Sequence, residues 1–226
     1  MKRVHVLVEG QTEETFVRDV LGPHLLSFHT ALHVTIISTK KIKTGGKFRG
    51  GVTGYAQVRR EVRNLLEDTG AAAVTTMIDY YALPDDFPGQ ANLPKGGTCY
   101  RRAEHLEGAF HADIPHQRFL PYLSLHEFES LLLVLPEEIG RALPKPAALD
   151  LLKADVAGFA SPEEVNDGPT THPSERIRRS VPGYQKRLHG PLIAARIGLQ
   201  AIRESCPHFA AWLRRLEELP ATPQRT

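Results

Sequence analysis

Apolar residues follow two spacings along the first half of the chain. Val4-His5-Val6-Leu7-Val8 is a short run rich in β-branched residues that stops at Glu9-Gly10, the pattern of a buried strand. From Thr12 to about Phe28, the residues Phe16, Val17, Val20, Leu21, Leu25 and Leu26 recur at helical spacing, and Pro23 is expected to kink or divide that helix. His33 to Ser38 reads as a second strand. Val52, Tyr55, Val58, Val62, Leu65 and Leu66 mark the next helix, closed near Gly70. Ala72 to Ile78 is a third strand that stops at Asp79. A Pro/Gly-rich loop over 84–97 then precedes a helix from Thr98 to Phe110. Phe119 to Ser124 reads as a fourth strand, and Pro121 places it at an edge or breaks it.

This β-α-β-α-β-α-β order predicts an α/β fold: a mostly parallel four-stranded sheet flanked by helices. Right-handed crossovers bring the strand ends to a common edge. Past residue 135 the pattern changes. Pro136, Pro144, Pro146, Pro162, Pro169 and Pro173 punctuate short helical pieces, and 174–188 and 191–217 read as helices. The expected organisation is an α/β domain over 1–135 with a helical extension over 136–226 packed on it.

With 226 residues, 41% of them hydrophobic and 24% charged, the chain can build a core, so long disorder is not expected. No apolar run approaches the roughly 20 residues of a membrane-spanning helix. The start passes from Lys2-Arg3 straight into a strand, without the pattern of a secretory signal. Cys99 and Cys206 form no CxxC pair, which argues against a disulfide scaffold or thiolate zinc site. The cytoplasm is the expected location. Net charge is only +2, but Ser174 to Arg203 holds seven basic residues, Lys186 among them, against the single acid Glu175. Lys40, Lys41, Lys43, Lys47 and Arg49 form a second basic cluster. Such stripes suit a polyanion on one face, or are two solvated surfaces.

The chemistry lies in where the acids fall. Glu9 follows the first strand, Asp79 the third, and His126, Glu127 and Glu129 the fourth; Glu13 comes four residues after Glu9. In open α/β sheets, ligands bind beyond the carboxyl ends of the strands. Clustered carboxylates repel when ionised, and a hard cation such as Mg²⁺ or Mn²⁺ relieves that repulsion. Each acid also has a plainer reading: Glu13 as a helix-dipole partner, Glu127 and Glu129 as first-turn residues, Asp79 as a turn cap. His126 is a ligand, a base, or a residue holding its loop. Gly45-Gly46-Lys47-Phe48 lacks the spacing of a nucleotide-binding P-loop, and no GxSxG motif occurs.

Val8-Glu9-Gly10-Gln11-Thr12-Glu13-Glu14 resembles the VEG-x-TE signature of Toprim-like nucleases, including the overcoming-lysogenization-defect (OLD) nucleases. The segments Thr76 to Tyr81, Pro121 to Glu129, Ala160 to Asp167, Pro173 to Arg176 and Cys206 to Phe209 resemble the bacterial family called domain of unknown function 4276. The Toprim resemblance implies a small parallel α/β fold whose first-strand glutamate works with a later DxD pair to hold Mg²⁺. Glu9 then matches the glutamate, Glu13 the second acid of the motif, and Asp79 the first aspartate. Position 81 is Tyr where the second aspartate is expected, leaving Glu127, Glu129, Asp85 or Asp86 to replace it. The implied activity is a Mg²⁺- or Mn²⁺-dependent nuclease acting on DNA or RNA, in bacterial antiphage defence, beside an ATPase partner. In that reading Glu9, Glu13, Asp79, Glu127 and Glu129 hold metal and His126 positions water or a ligand. Lys41, Lys43, Lys47, Arg49, Arg176 and Lys186 meet phosphates. The rivals are a non-catalytic partner subunit of an ATPase, which Tyr81 favours, and a small-molecule phosphoesterase, which the 174–203 stripe disfavours.

Overall fold

The computed structural model describes residues 1–37, 54–143, 149–165, 168 and 170–220. Strand β1 (Lys2–Val8) leads into α1 (Gln11–Phe16), a π-helical turn (Val17–Leu21) and α2 (Gly22–Leu26), then β2 (Thr30–Ile36). Helix α3 (Tyr55–Leu66) precedes β3 (Ala73–Asp79), and α4 (Cys99–Asp113) precedes the short strands β4 (Phe119–Leu120) and β5 (Leu123–Ser124). A 3₁₀ helix (Phe128–Val134) opens the remainder, which holds α5 (Pro136–Arg141), α6 (Leu149–Val156), a 3₁₀ turn (Pro162–Glu164), α7 (Pro173–Ser180), α8 (Lys186–Ile197), α9 (Leu199–Ser205) and α10 (Pro207–Glu217).

Among the described residues the strands form one parallel sheet in the order β2-β1-β3-β4, with β5 continuing beside β3. The fold is therefore α/β with a mostly parallel sheet. Alternation along the two central strands explains its two covered faces. Val4, Val6 and Val8 of β1 and Ala73 and Met77 of β3 point to one side, where they meet Phe16, Leu21, Ile193, Phe209 and Trp212. Leu7, Val74 and Ile78 point to the other, against Val58 and Val62 of α3 and Leu106 and Phe110 of α4. One core thus joins the first strands to the last helix. It is pinned where Trp212 Nε1 donates to Thr75 Oγ1 at 2.9 Å and the Trp212 ring stacks on Tyr122 at 4.3 Å.

Two prolines act as expected, each with a local remedy. Pro23 has no N–H for the helical ladder, and the strain is taken up upstream: the Gly22 N–H reaches back five residues to the Val17 carbonyl, a π turn rather than a break. Pro121 splits the fourth strand into β4 and β5. Thr76 Oγ1 bridges the gap, accepting from the Tyr122 N–H at 3.0 Å and donating to the Tyr122 carbonyl at 2.8 Å. Other expectations need correction. The second strand begins at Thr30, three residues before His33. The helices expected over 174–188 and 191–217 are four, because Pro182-Gly183, the left-handed Gly198 (φ 83°) and Pro207 interrupt them.

Candidate functional site

Strand β1 ends beside β3, with Val8 paired to Met77, so Glu9 emerges next to the end of β3. Its Oε2 accepts the Asp79 N–H at 3.3 Å. Asp79 shares the face of Ala73 and Met77 by alternation, the face covered by the first and last helices. The chain then turns back through His126, a non-glycine residue held at φ 60°, a conformation that side chains tolerate only where the surroundings impose it. The turn aims the Phe128 N–H at Asp79 Oδ1, 2.9 Å away, and the Tyr81 N–H donates to the His126 carbonyl at 2.9 Å. The His126 ring lies buried, edge-on to Tyr80.

Helix α8 completes the site. At Gly190 an added Cβ would stand 3.2 Å from both Thr12 and Phe128, so the missing side chain lets α8 lie directly on α1 and the 3₁₀ helix. Four residues earlier, on the same helical face, Lys186 reaches in. Its Nζ lies 2.8 Å from Asp79 Oδ2, 3.2 Å from Glu129 Oε2 and 3.4 Å from Glu13 Oε1. Tyr184 donates to the other oxygen of Glu129 at 3.2 Å. Glu13, Asp79 and Glu129 are all buried, at 2%, 4% and 0% exposure. Buried carboxylates resist ionisation. Burial pushes Glu9 up to about 7, with Lys186 pulling it down and Glu13 pushing it further up. Asp79 and Glu129 are raised too, burial first, with Lys186 again opposing. Burial disfavours the Lys186 ammonium, but Asp79, Glu129 and Glu13 outweigh it and hold the amine charged well beyond its ordinary range.

Glu9, Glu13, Asp79 and Glu129, distant in sequence, therefore meet. Glu127 does not point at Lys186. Its Oε2 accepts the Ser174 N–H at 2.8 Å and contacts His172 Nδ1 at 3.1 Å, and its Oε1 accepts from Ser174 Oγ at 3.1 Å, so it caps α7 from across the fold. Asp86 caps α3 by accepting the Tyr55 N–H at 3.0 Å, and both it and Asp85 are exposed. Tyr81, where the Toprim resemblance expects an acid, stacks on His172 with ring centres 5.0 Å apart. Arg176 is largely buried; its guanidinium donates to the Thr171 carbonyl and pairs with Asp155 at 3.7 Å. Lys41, Lys43, Lys47 and Arg49 lie outside the described residues. The partnership that residue spacing did not reveal is Lys186 with the acids. The only trace of it in the sequence is Gly190, placed to allow the close approach.

Among the described residues no group of three or more His, Cys, Asp or Glu side chains has the spacing of a metal centre; the carboxylates are drawn onto an ammonium instead. Their chemistry nevertheless suits a hard cation. Among the described residues, Glu13 Oε1 and Glu129 Oε2 are buried and accept no hydrogen bond in good geometry, Lys186 being the cation beside each.

The molecule is thus an α/β protein with a buried carboxylate cluster at the carboxyl ends of its central parallel strands. The chain belongs to the family described as domain of unknown function (DUF4276), whose model matches residues 8–217. Among solved structures it is similar to the C-terminal region of the Burkholderia pseudomallei OLD protein, at 17% identity and a TM-score of 0.44, over 96% of this chain and 99% of that one. No curated protein matches it. Among the described residues no helix is long and apolar enough to cross a membrane.

Proposed function

We propose that this chain is a Toprim-like nuclease that uses Mg²⁺ or Mn²⁺ to hydrolyse phosphodiester bonds of DNA or RNA. The observation that carries the reading is the gathering of Glu13, Asp79 and Glu129 within 3.4 Å of one cationic atom, with Glu9 hydrogen-bonded to the Asp79 backbone. One ammonium faces four acids, more carboxylates than it can pair, and an all-oxygen set of this kind is what a hard divalent ion demands. Glu9, Glu13, Asp79 and Glu129 would hold the ion. Bound there, a divalent cation polarises a phosphoryl oxygen and acidifies water. Glu127, by capping α7, and His126, by setting the turn that feeds Phe128 to Asp79, keep the acids in position. A bacterial antiphage setting and an ATPase partner extend the reading on family resemblance alone.

The test is cleavage of labelled DNA and RNA with Mn²⁺ by wild type, Glu13→Gln and Asp79→Asn. Loss of a ligand should lower the metal-dependent rate by about 100-fold or more, beyond the 10–100-fold typical of outer-shell changes. Wild-type rates in both variants would overturn the assignment. Tyr81 favours a second reading, a non-catalytic subunit, because its ring stands where the resemblance expects an acid and is committed to His172. That reading expects neither cleavage nor specific Mn²⁺ binding by the wild type.

A further inference from the structure

We infer that Lys186 is a built-in competitor of the divalent cation: its ammonium holds the centre of the carboxylate cluster, and the cation enters by displacing it. The inference rests on the metal reading above and adds how that site is gated. Three acids from three separate elements, α1, β3 and the 3₁₀ helix after β5, aim at the same atom, Lys186 Nζ, at 3.4, 2.8 and 3.2 Å. A point where three buried carboxylates converge this closely accommodates one cation. An ammonium and a divalent ion sharing those oxygens would stand within a few ångströms of each other, and like charges at that distance repel strongly where water is scarce.

The fold supplies a way out for the amine and keeps the rest of the site still. Lys186 is the first residue of α8, and its side chain is 27% exposed while the acids it bridges are not. Its four-carbon stem rotates freely once the ion pairs open. Helix α8 need not follow, because Gly190 seats it against Thr12 and Phe128 one turn later. Charge acts on the exchange in both directions. Replacing +1 by +2 compensates the surplus carboxylates better, yet the ion must first break three ion pairs, of which the one to Asp79 is also a hydrogen bond. Lys186 therefore stabilises the metal-free fold and lowers affinity for the metal, so that weakly attracted or monovalent ions do not dislodge it.

The test uses the whole chain with Mn²⁺ alone, without substrate. An amine-acetylating reagent is applied with and without saturating Mn²⁺, and acetylation of Lys186 and Lys153 is followed by peptide mass spectrometry. Lys186 should be protected in metal-free protein and react about 10-fold faster with Mn²⁺, a change equivalent to one decade in an equilibrium, while Lys153, outside the cluster, stays constant. In parallel, calorimetric titration should give about 10-fold tighter Mn²⁺ binding to Lys186→Met than to wild type. Lys186 that stays protected while calorimetry registers bound Mn²⁺ would overturn the inference and leave the metal reading standing. This measurement on wild type decides even if Lys186→Met fails to fold. Absence of Mn²⁺ binding in both wild type and Lys186→Met, or binding by Asp79→Asn equal to wild type, would sink the metal reading itself.

Discussion

Among the described residues carboxylates are buried at two places, and the two are satisfied differently. Glu163 reaches the N-terminus of α10, where its Oε1 accepts the Phe209 N–H at 2.9 Å and its Oε2 the His208 N–H at 2.8 Å. Both oxygens have a fixed backbone donor, and the helix dipole adds to them. Glu127 is settled comparably at α7, by the Ser174 N–H on one oxygen and Ser174 Oγ on the other. At the strand ends, by contrast, Glu13, Asp79 and Glu129 share one ammonium, with Glu9 beside them. Burial raises Glu163 and Asp79 alike, but backbone amides are what oppose the rise at Glu163, and Lys186 is what opposes it at Asp79. A buried acid whose two oxygens are both filled by backbone donors is part of the architecture. In the cluster, Asp79 and Glu129 each have one oxygen held by a fixed donor, Phe128 N–H or Tyr184 OH, and the other turned to Lys186, an oxygen that a ligand can take over.

The contrast breaks hardest at Lys186. In metal-free buffer Lys186→Met should lose about 3–5 kcal/mol of stability, the usual cost of removing one partner of a buried ion pair. Urea denaturation measures the loss, and added Mn²⁺ should restore part of it. A Lys186→Met protein as stable as wild type without metal would mean that the ammonium does not hold the acids together. At the other place the effect is smaller. Glu163→Ala strips two donors of their acceptor and should cost about 1–2 kcal/mol, as the loss of a helix cap does, with Glu163→Gln costing less because its amide oxygen still accepts one N–H. Equal losses in the two variants would show that charge, rather than acceptor count, decides the site.

The smallest effect is a dependence on pH. His208 Nε2 contacts Glu107 Oε1 at 2.9 Å, and although burial disfavours its charged form, Glu107 holds its pKa above the ordinary value of 6.5. The folded pKa exceeds the unfolded one. The stabilisation is thus complete below about pH 6.5 and lost as pH climbs through the folded value. Wild type should lose stability above pH 6.5 in denaturant titrations, and Glu107→Gln should flatten that fall. An unchanged slope would mean that His208 owes nothing to Glu107.

Much of this arrangement was legible in the chain. The runs 4–8 and 72–78 read as strands because β-branched residues crowd them, and both lie in the parallel sheet. The acids closing those runs could be placed together because parallel strands share a carboxyl edge. Past residue 135 the sequence is less legible. Frequent prolines marked breaks, but not which pieces were helical, and Gly198 ended a helix that apolar spacing alone would have continued. In the sequence Lys186 belongs to the basic stripe, because its neighbours Arg178, Arg179 and Arg187 are basic. Net charge along a helix does not say which side chain turns inward.

By itself the sequence determined the parallel sheet, its helices and the acids at the strand ends, since hydrophobic period and strand polarity are local properties that neighbouring residues impose. Only the tertiary structure decided which of those acids meet and what meets them. Glu127 went to the end of α7, Glu129 to Lys186, and Lys186 itself into the cluster, because these partnerships join residues 45 to 173 positions apart. Such contacts depend on how closely α8 can approach α1, a packing distance that no spacing within either segment encodes.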